Sequence, residues 1–488
     1  MSTTTSVGIE VERTELFIDG EFVAGGGPVV DVVSPATGEV IAGVHQPSFA
    51  DLDRAVALAR AAQRPWARTG AFQRAEVCHR IGDLISAKRE QLSRLQTLEQ
   101  GKPLAESYAD IDEAAKLFHL HAEDAVRLNG ETYPSTDPNK RMWTNYRPVG
   151  VWGIITPWNF PLLMFAEFAA PGLATGNALV VKPPTHTSFT VLAAMDAMVE
   201  AGLANGLVSI LPGAGEVGEQ LVTHPGIDAI GFIGSSATGA VIQSKAGLKR
   251  SLMECSGNGP IVVLSDADLT RAALAATQGA YFCAGQVCCA TERVLVHADV
   301  HEAFVAELMK AAESVKLGDP FAVGTNLGPL NNEGVATKMD RHMADARDRK
   351  ARVLVGGGRR AGLPTDLYYE YTVVDNVPED SLLAREESFG PVVPVIVGRD
   401  DDDLLRIANA DPLGLQGAVF TRDIARAFRF AEELEVGQVV VNDSNGYWDI
   451  NMPFGGAGGK STGWGRIGGK HTLLGMTDLR TTVVDVSA

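Results

Sequence analysis

The chain has 488 residues, 45% apolar and 21% charged, an ordinary globular composition with length for two to four domains. Lysine and arginine number 42 against 60 aspartate and glutamate, a formal charge of −18. That balance argues against nucleic acid or an anionic membrane surface as a partner, because both demand a basic face.

Residues 1–14 are polar and are expected to fray, with no pattern of a secretory leader. Leu16 to Val23 (LFIDGEFV) predicts a hairpin turning at Asp19 and Gly20. Asp51 to Gln63, Arg74 to Leu98 and Ala105 to Leu128 carry helical periodicity and good helix formers. Residues 129–150, interrupted by proline, asparagine and glycine, predict an extended hairpin-like excursion. From 150 short apolar strands (VGVWGIIT, ALVVKP, VSILPG, DAIGFIGS) alternate with helices at Leu162 to Ala174, Thr190 to Ala201 and Thr238 to Ala246. A second such region starts with PIVVLS. It continues through a helix from Leu274 to Phe282, RVLVH, a helical VHEAFVAELMKAAESV, RVLVGG, VVPVIVG, GAVFT, a helix from Ile424 to Leu434, and GQVVVN. Such alternation predicts parallel α/β sheets. Glycine-rich turns (PFGGAGGKSTGWGRIGG) and a strand-like TTVVDV end the chain.

No stretch approaches the 18 apolar residues that would mark a membrane-spanning helix. Five cysteines, an odd number with three inside seven residues, make a poor disulfide framework and suit a reducing, cytoplasmic setting. No Cys/His spacing resembles a zinc site, so no metal is expected.

Four segments carry chemistry. In CAGQVCCATER, Cys283 to Arg293, adjacent cysteines sit between a predicted helix and strand, where a thiol can be activated by backbone N–H groups. In TPWNFP, Asn159 lies in a proline-stiffened turn able to hold an amide donor at a fixed point, as an oxyanion requires. GFIGSSATG is placed between strand and helix, where glycine permits close approach to phosphate. Its spacing is neither the dinucleotide fingerprint nor a P-loop. In MECSG, Glu254 stands alone in apolar surroundings that would raise its pKa into the range of a general base.

TPWNFP, GFIGS, the glutamate before a glycine turn, GQVC, EESFGP and PFGG occur together in this order. The set resembles the aldehyde dehydrogenase superfamily from Leu16 to the C-terminus. The resemblance implies oxidation of a small-molecule aldehyde to a carboxylate with NAD or NADP, through a thiohemiacetal and a thioester on Cys288. It implies Asn159 as oxyanion donor, Glu254 as the base that activates water, and Trp158, Lys182, Gly234, Ser235, Gly239, Glu387 and Phe389 on the cofactor. Thr185 stands where many NAD-preferring members carry a glutamate, so NADP is expected to be accepted.

The implied fold is a doubly wound parallel-sheet NAD(P)-binding domain (residues 1–123 and 149–254), an α/β catalytic domain (255–453) and a small β oligomerisation flap (124–148 and 454–488). A homodimer or homotetramer follows from it. The chain departs from the family's usual residues at Cys255, Ser256 and Asn258, at Ile233, and at Glu167 and Phe168 in place of Trp-Lys. Tyr447 and Trp448 point to an aromatic aldehyde. The acidic run Asp110, Asp112 and Glu113 together with Glu167 suggests an aminoaldehyde, and KPPT a phosphorylated or phosphonate one. A CoA-acylating activity is disfavoured by Glu254.

Overall fold

The computed structural model describes residues 3–4 and 8–487. Five parallel strands form the heart of an eight-stranded sheet: Val151–Ile155 in the middle, Ala178–Lys182 and Val208–Ile210 to one side, Ala229–Ile233 and Arg250–Glu254 to the other. The chain therefore winds both ways from Val151–Ile155, the doubly wound arrangement whose switch point lies at the carboxyl ends of the central strands. VWGII, ALVVK and AIGFI are buried along their whole length, because helices cover both faces. Each fully buried Val, Leu or Ile contributes roughly 1.5–3 kcal/mol. The Leu16–Ile18 and Glu21–Val23 hairpin and the short Gly463–Trp464 strand close the two edges.

A second, seven-stranded sheet has Pro260–Val263 at its centre. Arg293–His297, Val392–Gly398 and Thr372–Asp375 follow on one side, Gln416–Phe420 and Gln438–Val441 on the other. All of these are parallel, and Arg352–Val355 adds an antiparallel edge. Each sheet has its own apolar core. The excursion after residue 129 is a hairpin of Thr132–Tyr133 and Lys140–Pro148, and Thr477–Asp485 pairs with Lys140–Pro148 over nine residues. This three-stranded flap leaves Trp143, Leu479 and Val483 exposed.

Three expectations change. The stretch Arg74 to Leu98 is two helices, Ala71–Ala87 and Arg89–Gln100, broken where Lys88 leaves helical geometry at ψ 9°. The helix expected from Leu274 begins at Leu269, because Asp268 caps it by accepting from the Arg271 N–H. Near the N-terminus Glu10–Val11 pairs with Thr3–Thr4, Ile9 and Val11 are buried, and Arg13 pairs with Asp196 at 2.9 Å. That part is tied down rather than frayed, while residues 1, 2 and 5–7 lie outside the described residues. Among the described residues no helix is long and apolar enough to cross a membrane, and no group of three or more His, Cys, Asp or Glu is placed to hold a metal ion.

Candidate active site

A cavity of about 580 Å³ is lined by residues of both sheets. The first sheet contributes loops from the carboxyl ends of its central strands: Trp158 and Asn159 follow Val151–Ile155, Gly234 and Ser235 follow Ala229–Ile233, and Glu254 ends its own strand. The second sheet contributes loops that enter its strands. Cys288 precedes Arg293–His297, and Glu387 and Phe389 precede Val392–Gly398.

Cys288 is half-buried at the cavity wall, while Cys255, Cys283 and Cys289 are buried and all five cysteines are free thiols. The Cys288 thiol lies within hydrogen-bond reach of Cys289 and of the Glu254 carboxyl. The bond to Cys289, burial and the Glu254 charge together hold the thiol well above its ordinary pKa. Glu254 is 2% exposed, and one of its oxygens has no partner. Burial pushes its carboxyl up to about 8, the Cys288 bond opposes this, and the charges of Glu387 and Glu167 add to it. Asn159 is buried beside them. Its Nδ2 donates to the Gln286 carbonyl at 2.8 Å, which leaves the second amide N–H for another acceptor.

The backbone under the thiol is held hard. Cys283 and Ala284 have φ of 51° and 54°, a left-handed geometry that side chains disfavour. The Cys283 N–H donates to Glu106 at 2.9 Å. The Gln286 side chain donates to the Cys283 carbonyl and accepts from the Asn331 N–H. Gln286 thus fixes both the turn before Cys288 and, through its own carbonyl, Asn159.

On the cofactor side, Ser235 caps the Ser236–Ala246 helix by accepting from the Thr238 N–H, and the helix N-terminus faces the switch point. A Cβ at Gly234 would stand 2.7 Å from the Phe232 ring, and one at Gly239 2.8 Å from Cys255 Sγ. Packing against Phe232 and Cys255 thus demands glycine at both positions of the loop. Trp158 meets Phe389 edge-on at 5.5 Å, and the Lys338 ammonium lies 5.7 Å from the Phe389 ring. Glu387 accepts from the Gly257 N–H at 3.1 Å. Lys182 and Thr185 lie outside this cavity, at the end of Ala178–Lys182. Lys182 donates to the Gly213 carbonyl at 2.8 Å, with its ammonium pushed down to about 8 by burial. Thr185 accepts from Gln46 at 3.2 Å. His186 beside it is half-buried, with an unpartnered Nε2. Glycine loop, helix terminus, aromatic pair and lysine fit a nicotinamide dinucleotide.

On the opposite side the cavity is walled by Phe160, Phe282, Tyr447, Trp448 and Phe454. Tyr447 and Trp448 therefore face it. Two members of the acidic run, Asp110 and Glu113, line the cavity, and each acid of the run has a cationic partner. Asp110 pairs with Lys102 at 3.2 Å, both side chains fully buried, Asp112 with Arg89 at 2.6 Å, and Glu113 with Lys116 at 2.7 Å. Glu167 is 0% exposed and accepts only from the Gly468 N–H, at 3.2 Å. The sequence shows carboxylates at helical spacing but not the cations that claim them.

Several supporting residues were not foreseen. Glu292 accepts the N–H groups of Ser388 and Phe389 at 2.8 and 2.9 Å, and so holds Phe389 at φ 59°. Its signal was present, a lone acid four residues after Cys288. Glu106 gave none, because its partner Cys283 is 177 residues away, and the roles of Lys102 and Gln286 depend on turns that spacing alone does not show.

A doubly wound sheet with a glycine loop at its switch point, opposite a thiol in reach of a buried carboxyl, defines a nicotinamide-dependent oxidoreductase. Residues 22–482 match the model of the aldehyde dehydrogenase family. The chain belongs to that family and is an NAD(P)-dependent enzyme. It is 36% identical over 472 residues to glutarate-semialdehyde dehydrogenase of Pseudomonas aeruginosa, covering 96% of this chain and 97% of that protein. It is 34% identical to an NADP-dependent succinate-semialdehyde dehydrogenase of Escherichia coli, covering 96% and 97%. The crystal structure of succinate-semialdehyde dehydrogenase from Burkholderia pseudomallei superposes with a TM-score of 0.95 at 35% identity, covering 98% of each chain.

Proposed function

We propose that the chain oxidises an uncharged aldehyde with an aromatic or apolar body to its carboxylate, with Cys288 as nucleophile, Asn159 as oxyanion donor and Glu254 as general base. The observation that carries this is the half-buried Cys288 thiol in reach of an otherwise unpartnered buried carboxyl. Glu254 accepts the thiol proton as sulfur attacks the carbonyl carbon. The free Asn159 N–H and the Cys288 backbone N–H receive the oxygen that becomes negative. Bound nicotinamide supplies the hydride acceptor that turns the thiohemiacetal into a thioester. Once its first proton has passed to solvent, Glu254 takes a second from water as the water oxygen bonds to the thioester carbon, and the C–S bond breaks to return the Cys288 thiolate.

Trp158, Gly234, Ser235, Gly239, Glu387 and Phe389 would hold the dinucleotide, with Lys182 and Thr185 at its adenosine ribose. A neutral Thr185 beside the Lys182 cation favours a 2′-phosphate over bare hydroxyls. We assign NADP as the preferred cofactor.

The aromatic walls support an apolar substrate body. Among the described residues, the one cation lining the cavity is Lys338, at the Phe389 end. Carboxylate-tailed semialdehydes, the substrates named for the relatives, lack a partner on the aromatic side. Of an aminoaldehyde's expected anchors, Asp110 and Asp112 are claimed by Lys102 and Arg89, and Glu113 stays on the cavity wall beside an exposed Lys116. The test is NAD(P)H formation with benzaldehyde, vanillin, succinate semialdehyde, an aminoaldehyde and a phosphonate aldehyde. An aromatic winner that is silent in Cys288→Ser is expected, and succinate semialdehyde as winner would contradict the substrate reading. Added CoA is expected to change neither rate nor product.

The two cores support a cofactor domain and a catalytic domain, and the three-stranded sheet supports a flap of 124–148 with Thr477–Asp485, whereas Gly463–Trp464, Ile467 and Leu473, drawn with the flap from the sequence, join the first sheet and core. The open edge of Thr477–Asp485 and its exposed apolar residues support a homodimer or homotetramer, since unpaired edges are ordinarily covered. Light scattering at the monomer mass would contradict it. Five free thiols suit a reducing, cytoplasmic setting.

A further inference from the structure

Glu167 is a feature that the reaction as written leaves unused. It lies on the Pro161–Thr175 helix, which begins two residues after Asn159. Its side chain is fully buried, with Oε2 accepting from the Gly468 N–H at 3.2 Å and Oε1 without a partner. The next residue on the helix, Phe168, packs onto Gly231, where an added Cβ would stand 2.7 Å from the ring. Gly231 belongs to the Ala229–Ile233 strand, which pairs with the strand of Glu254, Ile233 opposite Glu254 itself. On the other side, Gly468 follows Ile467, and Ile233 and Ile467 both line the cavity. Glu167 thus stands directly behind the wall next to Glu254, and each of these two buried carboxyls has an oxygen unpartnered.

The elements packed on the Glu167 helix offer it no neutralising cation. The Ala71–Ala87 helix brings Arg74, which donates to the Ala174 and Thr69 carbonyls, and the buried Cys78. The Leu104–Ala125 helix brings Asp110, held by Lys102, and His121, buried and kept neutral by burial. The Phe189–Glu200 helix brings Asp196 and Glu200, paired with Arg13 and Lys88. The Lys140–Pro148 strand brings Lys140, paired with Asp485, and Arg141 and Arg147, both exposed. The Gly469–Gly475 helix brings Lys470 and His471, both exposed. At the end of Ala178–Lys182, Lys182 donates to Gly213. Among the described residues the Gly468 N–H is the one hydrogen-bond partner of Glu167. Around Glu254 the charged or titratable neighbours are Cys288, Cys255, Glu387 and Glu167.

We propose that Glu167 is a positioning residue for Glu254: a second buried carboxylate whose negative charge strengthens Glu254 as the base that takes a proton from water in thioester hydrolysis. This rests on the assignment of Glu254 as that base. Like charges in one low-dielectric site disfavour simultaneous ionisation, so the carboxylate that ionises second becomes the stronger base. Burial pushes the Glu167 carboxyl itself up to about 8, so the two acids titrate as a pair, and the Glu167 charge, once formed, pushes Glu254 up as the smallest of its causes.

The test is the pH dependence of the hydrolytic phase that follows the first, stoichiometric burst of NAD(P)H. Glu167→Gln keeps an acceptor for the Gly468 N–H and removes the charge. Glu167→Leu removes both and is the second neutral variant, since replacing a buried charge by an apolar side chain is often tolerated. Glu167→Asp keeps the charge. In either neutral variant the acid limb of hydrolysis moves to lower pH by at least about half a unit, while Glu167→Asp stays near wild type and every variant keeps its burst. An unmoved limb, or one that moves to higher pH, in a variant with a full burst overturns the proposal. Absence of a burst in the wild type would instead overturn the assignment of Cys288 and leave nothing for Glu167 to assist.

Discussion

Two groups of buried acids flank the cavity, and they differ in how far their hydrogen bonds are completed. On the side of the Leu104–Ala125 helix, Asp110 takes the Lys102 ammonium and the Leu163 N–H, Glu106 takes the Cys283 N–H, and the Lys102 cation lies 3.6 Å from the centre of the Phe160 ring. On the side of the first sheet, Glu254 and Glu167 each keep an oxygen without a partner. A completed network fixes geometry, whereas an incomplete one stores proton affinity. The first group is a frame that holds the turn before Cys288 and the helix after Asn159. The second is where a proton has somewhere to go.

The contrast can be broken from either side. The largest effect is expected in Cys288→Ala, with turnover down by at least roughly 10⁴-fold and the fold intact by circular dichroism. In the frame, Lys102→Met leaves Asp110 charged and alone, and should cost about 3–5 kcal/mol of stability in denaturant unfolding. The same change is predicted to loosen Cys288 placement only through the fold. Asn159→Ala should lower kcat by roughly 10²–10³-fold with thiol labelling of Cys288 unchanged, the loss typical of one oxyanion donor. The pH profile sharpens the second group. Glu254 must be ionised to act, and its carboxyl is pushed up to about 8. Hydrolysis should therefore rise with pH through about 8 and fall about tenfold per unit below it, a limb that an ordinary exposed carboxylate would place near 4. The smallest effect is expected at the cofactor's far end. Thr185→Glu should shift the ratio of kcat/KM for NADP over NAD by roughly tenfold toward NAD, read from initial rates.

Much of this was legible from residues alone. Buried parallel strands appear as uninterrupted apolar runs, so VWGII, ALVVK and AIGFI stood out, and the elements at their ends located Asn159, Gly234 and Glu254. What stayed hidden depends on burial and turn geometry that residue spacing does not announce. Asp110 is indistinguishable from a solvated helix acid until Lys102 is seen buried against it. Gln286 looked like a motif letter, yet its side chain joins Cys283 to Asn331. The break at Lys88 has no proline or glycine to announce it, and the Glu333–Asp348 helix and the Val29–Val33 and Val40–His45 hairpin were not picked out at all.

The division of labour between Cys288 and Glu254 is tested most directly by trapping the acyl group. Glu254→Gln keeps the shape of the site and removes the base. With aldehyde and NADP it should release one equivalent of NADPH per subunit, more slowly than wild type because the thiol has lost its proton acceptor, and then stall, and mass spectrometry should find the acyl mass on Cys288. Continued turnover near the wild-type rate, or an acyl group on Cys289, would contradict it.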